Sequence, residues 1–146
     1  MLGTLLGEEV VHVFRSIKEI NQDTGINTAS ATIECPGRKL AGDASIAAED
    51  KQVKTVPVRI TVAGIGKDVG FVGFNVEMLT EIGMAVKAAS PFRHTFIITH
   101  CNGSSGYLPP AELYKEGGYE IDTTPFEPGS AEMVVKKTLN MLYDLE

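Results

Sequence analysis

Between residues 5 and 20 the apolar side chains Leu6, Val10, Val13, Phe14, Ile17 and Ile20 recur at three- and four-residue steps, with His12, Arg15, Ser16 and Glu19 opposite them. This period predicts an amphipathic helix with His12 on its wet face. The period then changes to two. In 28-TASATIEC-35, Ala29, Ala31, Ile33 and Cys35 alternate with Thr28, Ser30, Thr32 and Glu34, and in 55-TVPVRITV-62, Val56, Val58, Ile60 and Val62 alternate with polar partners. Both predict half-exposed strands, with Pro57 at an edge or in an outward, non-bonded position. The segment 36-PGRKLAGDASIAAEDKQ-52 between them follows neither period and reads as a long loop.

Beyond a turn at 64-GIGKD-68, the nearly unbroken apolar run 69-VGFVGFNV-76 predicts a strand covered on both faces. A helix over 77–89 follows, with Met78, Leu79, Ile82, Ala85, Val86 and Ala89 inward and Ser90-Pro91 ending it. A strand over 94–101 leads into 102-NGSSGYLPPAELYKEGGYE-120, where Pro109-Pro110 can open a short helix and Gly117-Gly118 can close it. From Ser130, a plausible N-cap, Val134, Val135, Thr138, Leu139, Leu142 and Tyr143 define the buried face of a last helix. The order predicts a single α/β domain of mixed α/β or α+β layers, with about four strands and four helices.

Composition narrows the function. At 146 residues, 43% hydrophobic and 22% charged, the chain is long enough for one real core. A net charge of -6 and a pI near 5.1 argue against nucleic-acid binding, because phosphate affinity needs clustered Lys and Arg. Cys35 and Cys101 are far apart and lack metal-site spacing, so they read as free thiols packed in the interior. No stretch has the ~18 apolar residues of a transmembrane span, and the first nine residues do not form a signal peptide.

Several residues invite chemistry. The glycines of 64-GIGKDVG-70 miss the dinucleotide fingerprint by one residue and read as a turn. His94 and His100 flank one predicted strand, roughly 20 Å apart at strand rise, so they cannot share a metal. His100 can be a ligand or base beside the loop, or a structural histidine at a strand end. Glu77 stands where a buried strand gives way to a helix, which makes it either a site carboxylate or a first-turn acid favoured by the helix dipole. Glu81, one turn on, reads as solvent-facing. Tyr107 and Tyr119 can donate to an oxyanion or, with a metal lowering the phenol pKa from about 10, serve as oxygen ligands; each can equally be a packing residue.

The segments 72-VGFNVEML-79, 87-KAASPF-92, 102-NGSSGYLPPAELYKEGGYE-120 and 128-PGSAEMVVKKTLNML-142 resemble, in order, the second half of the catalytic domain of the neutral/alkaline ceramidase family. The first helix and 32-TIECPGRKL-40 are similar to the stretch preceding it. The resemblance implies a C-terminal portion of a zinc-dependent amidohydrolase of sphingolipid metabolism that cleaves the N-acyl bond of ceramide-like lipids. It implies Glu77 and Tyr107 as zinc ligands and Tyr119 as the second tyrosine, which holds the substrate amide. Asn102, at the head of the loop, falls with it on the substrate side.

The chain also departs from the family pattern. Asn75-Val76 replaces a Pro-Gly before Glu77, removing a glycine's freedom and threatening to re-aim the carboxylate. The family's nucleophilic serine and paired zinc histidines have no counterpart; His12, His94 and His100 match none of their positions. Ser104 and Ser105 lack an accompanying His/Asp pattern. Two oxygen ligands leave the zinc sphere half built, so the resemblance implies weak or no zinc binding by this chain alone and no activity in isolation. The competing class is a non-catalytic α/β module that associates with itself or with a missing N-terminal half, because a truncated domain exposes apolar surface. A third reading is a small hydrolase using His100 with Cys101 or Ser104. The family is largely secreted or periplasmic; the chain itself carries no signal that assigns a location.

Overall fold

A computed structural model describes residues 1–18, 20, 22, 25–38 and 55–146. Its frame is a four-stranded sheet in the order β1-β2-β3-β5, made of β1 (Ile26–Pro36), β2 (Thr55–Ile65), β3 (Val69–Phe74) and β5 (His94–Ile98). The first two pairings are antiparallel and the third is parallel, so the chain must cross over between β3 and β5. It does so through β4 (Glu77–Met78) and α2 (Thr80–Ala89). After β5 come β6 (Tyr107–Leu108), a 3-10 turn (Ala111–Lys115), α3 (Tyr119–Thr123) and α4 (Ser130–Tyr143). The architecture is mixed α/β, and two short strands, β4 and β6, form a second small parallel sheet that sequence periodicity did not reveal.

Period-two alternation decides which face of the large sheet is dry. Val58, Ile60, Val62, Val72 and Phe74 are fully buried under α2 and α4, against Ile82, Val86, Val134 and Leu142. Burying each such side chain contributes about 1.5–3 kcal/mol. Thr28, Ser30, Thr32 and Glu34 of β1 lie exposed on the other face, as their alternation predicts. Pro57 points outward, beyond the end of the β2–β3 ladder, so no pairing is lost on that side. Cys35 is buried and Cys101 partly so; both are free, and burial pushes the Cys35 thiol up to about 11.

The turn reading of 64-GIGKDVG-70 holds. Ile65 pairs with Val69 around Gly66, whose φ of 56° suits glycine. The other two glycines have a separate purpose. Gly64 and Gly70 are register partners, and the buried Phe92 ring lies across them; a Cβ at Gly70 would stand 2.9 Å from Phe92 Cδ2 and 3.0 Å from Cγ.

Several expectations change. The N-cap of the last helix is Gly129 and not Ser130, and Tyr143 at its end is exposed. The strand over 69–76 stops at Phe74 and is fully covered on one face only; on the other, Phe71 stacks on the exposed Phe96 with ring centroids 5.1 Å apart. The strand over 94–101 stops at Ile98, because the chain curls back: Cys101 N–H donates to the Phe74 carbonyl and His100 N–H to that of Val76. The strand on which the spacing of His94 and His100 was reckoned therefore ends before His100. The helix expected over 77–89 begins at Thr80, since Glu77 N–H is taken by the Gly106 carbonyl in the small sheet. The first helix, α1 (Leu2–Ser16), starts and ends earlier than its apolar stripe suggested and buries no residue at all. The loop expected over 36–52 lies, beyond Arg38, outside the described residues.

Gly70→Ala is expected to destabilise the protein by about 1–3 kcal/mol, the range for forcing a methyl into a packed core. The added carbon meets the root of the Phe92 ring rather than its flexible tip, so the ring cannot swing clear. A fall in the urea midpoint at unchanged slope is the expected signature, and an unchanged midpoint would contradict this account.

Candidate active site

Where β3 ends, backbone pairing with β2 is continued by one side chain. Asn75, 8% exposed, accepts from Arg59 N–H at its Oδ1 (2.7 Å), while its own N–H donates to the Arg59 carbonyl (3.3 Å). Its Nδ2 donates to Ser105 Oγ (2.9 Å) and to the Pro57 carbonyl (3.4 Å). Ser105 N–H returns to the Asn75 carbonyl at 2.6 Å. The carboxamide thus ties together the strand end, the proline that cannot donate, and the 102–106 loop. Asn75 and Val76 have ordinary φ values and Val76 is fully buried, so replacing Pro-Gly puts no strain before Glu77.

The loop so fixed delivers Tyr107 beside Glu77. The two are direct register partners in the β4–β6 pair, and parallel partners project their side chains to the same side. Glu77 N–H donates to the Gly106 carbonyl (2.9 Å) and Leu79 N–H to that of Leu108 (3.4 Å). From behind, Thr124 Oγ1 donates to the Tyr107 carbonyl at 2.6 Å, and Thr124 is fully buried. Tyr119 opens α3 after Gly118 and meets the Tyr107 ring edge-on, centroids 5.9 Å apart; it is 66% exposed, free to face a ligand. Arg38 holds the far side of this unit, donating to the Thr124 and Ile121 carbonyls and lying 5.4 Å over the Tyr114 ring.

His100 also belongs to the cluster. Its Nε2 lies 3.1 Å from Glu77 Oε2, with both side chains about half exposed. The residue sits at φ 52°, a left-handed conformation that non-glycine residues seldom adopt. An ion pair this exposed contributes at most about 1 kcal/mol. Neither His12, on the exposed α1, nor His94, at the far end of β5, is in contact with Glu77. Asn102 occupies the second left-handed position, φ 60°, and its carbonyl accepts from Arg59 Nη1 (2.8 Å). Its backbone role is to turn the loop. Ser104 is exposed, Ser105 serves the Asn75 bracket, and Glu81 faces solvent as predicted.

Electrostatically the site is acidic, with Glu77 and Glu120 beside Tyr107. Partial burial first, then the Glu77 carboxylate, then Tyr119 and Glu120, push the Tyr107 phenol above its ordinary value of 10.0. Left to itself it stays protonated. The carboxylate oxygen and the imidazole nitrogen are donors that zinc takes, and the phenol stands in register beside them as a third, oxygen donor. Among the described residues no three His, Cys, Asp or Glu side chains converge on a point, so a metal here needs the phenol. Of the residues singled out in the sequence, Glu77, Tyr107, Tyr119 and His100 come together. Asn75, read as a disturbance, is the clamp; its signal was an amide placed directly after an apolar strand.

No protein-family model matches the chain, and no curated protein matches it either. Among solved structures, the neutral ceramidase from Pseudomonas aeruginosa and a ceramidase complexed with C2 are similar to it, each with a TM-score of 0.54, 24% identity and 63% of this chain covered. At that identity the likeness is one of fold. The match covers 15% of the length of either solved chain.

Glu77→Gln is expected to move the Tyr107 pKa down toward 10, because it removes a negative charge that disfavours the phenolate. Tyrosinate absorbance followed against pH, with Tyr107→Phe to assign the transition, measures this. The sign for stability follows. The folded state keeps its proton after the unfolded chain has lost its own, so stability declines as pH rises above about 10, and Tyr107→Phe flattens that decline.

Proposed function

We propose that this chain is part of a ceramidase-like, zinc-dependent amidohydrolase acting on N-acyl amides of ceramide-type lipids. The observation that carries the reading is the Glu77–Tyr107 register pair with Tyr119 edge-on to it, three residues the sequence resemblance had already selected. The ceramidase-like fold supports it. Glu77 supplies an anionic oxygen held by a paired backbone, and Tyr107 a second oxygen on the same side of the small sheet. A zinc ion bound there would polarise the amide carbonyl and lower the pKa of a hydroxyl nucleophile. Tyr119, exposed on α3, donates its phenolic proton in a hydrogen bond to the carbonyl oxygen as negative charge develops on it. Asn102, at the exposed mouth of the loop, offers its side-chain amide to the substrate's polar head.

The nucleophile and the paired histidines of the family belong, on this reading, to a segment outside this sequence. The chain alone with added zinc is therefore expected to leave an N-acylsphingosine analogue intact. The decisive experiment grafts residues 69–146 into a neutral ceramidase in place of the equivalent segment. Hydrolysis should be retained, and Tyr119→Phe should lower kcat by about 10²–10³-fold, the cost of one oxyanion donor. A folded, active graft indifferent to both Tyr119→Phe and Glu77→Gln would sink the proposal.

A second reading, an α/β module that binds or self-associates without catalysis, is favoured by α1. Leu2, Leu6, Val10, Phe14 and Ile17 are each more than half exposed, and no residue of the helix is buried. A helix of this length is marginal in water without a partner for its apolar face. Self-association through α1 is expected, with Leu6→Ser/Phe14→Ser shifting the species seen by light scattering toward monomer. A strict monomer at high concentration would rule this out.

A further inference from the structure

Resting on the proposed reading of Glu77 and Tyr107, the geometry points to His100 as a third donor that this chain itself offers to zinc. The ceramidase resemblance does not supply this residue, since His100 matches none of the family's histidines, and it revises the expectation that the chain binds zinc weakly or not at all.

The first argument is the bite. Tetrahedral zinc with bonds near 2.0 Å to nitrogen and oxygen separates neighbouring donor atoms by about 3.3 Å. Nε2 of His100 and Oε2 of Glu77 stand 3.1 Å apart, so a metal can bridge them with little adjustment of either side chain. The second is convergence: Tyr107 is the register partner of Glu77 in the parallel β4–β6 pair, so the two side chains leave the small sheet on the same side.

The third argument is how His100 is held. Its N–H is bound to the Val76 carbonyl, and Cys101 N–H to that of Phe74, which fixes the residue's backbone over the end of β3 beside Glu77. The left-handed φ of 52° turns the chain there so that the imidazole returns toward Glu77 instead of continuing along β5. Both side chains keep about half their surface exposed, leaving a path for an ion from solvent. Glu77 and Glu120 give the neighbourhood the negative charge a cation needs.

The test uses the untagged, metal-free chain titrated with zinc by calorimetry, and with cobalt to read coordination from its visible absorption. One zinc per chain is expected, with a tetrahedral cobalt spectrum. His100→Asn, which tolerates the left-handed backbone, should weaken zinc at least tenfold with an unchanged circular dichroism melt. His12→Asn and His94→Asn should leave affinity unchanged. If His100→Asn binds zinc like the parent while Glu77→Gln and Tyr107→Phe do not, the inference about His100 is wrong and the Glu77–Tyr107 reading stands. The absence of stoichiometric zinc binding by the parent chain has the same meaning. Zinc that survives Glu77→Gln and Tyr107→Phe overturns both.

Discussion

The site depends on one carboxamide. On its β3 side the ladder of β2 ends at Ile60 opposite Phe74, although β2 runs on past Pro57 in its pairing with β1. Asn75 takes over with its side chain, supplying both an acceptor for Arg59 and donors for Ser105 and Pro57. Buried polar groups cost stability unless paired, and here each hydrogen bond satisfies one partner while placing another. Because Ser105 is pinned to β3, Gly106 meets Glu77, and Tyr107 then has no choice of register.

Sequence periodicity revealed the large elements because they answer to burial. The alternation in β1 and β2 and the apolar stripe of α4 reappear as the core. The small sheet was invisible for the opposite reason: two residues per strand are too few to show a period, and its partners Glu77 and Tyr107 lie 30 residues apart with α2 and β5 between them. The start of α2 moved for the same cause, since pairing with the loop competes for the backbone that propensity would have given to the helix. Glu77, Tyr107 and Tyr119 were legible only through resemblance. His100 was legible as a histidine beside a loop, yet its approach to Glu77 depends on a left-handed turn that no local pattern announces.

A glycine motif suggestive of a cofactor turned out to be packing. Gly64 and Gly70 face each other across a hairpin because the Phe92 ring occupies the space their side chains would need. Phe92 follows the Ser90-Pro91 end of α2, so the hairpin and the crossover are locked at one contact, and the direction in which β5 enters the sheet is set there.

The tie from Arg38 to the Ile121 and Thr124 carbonyls joins residues 83 and 86 positions apart, and Gly37 bridges to Phe126 across a similar span. Thr124 is also the residue that holds the Tyr107 carbonyl. The end of β1 and the short strand that carries Tyr107 are therefore joined through one buried threonine, so a change at Arg38 reaches the small sheet.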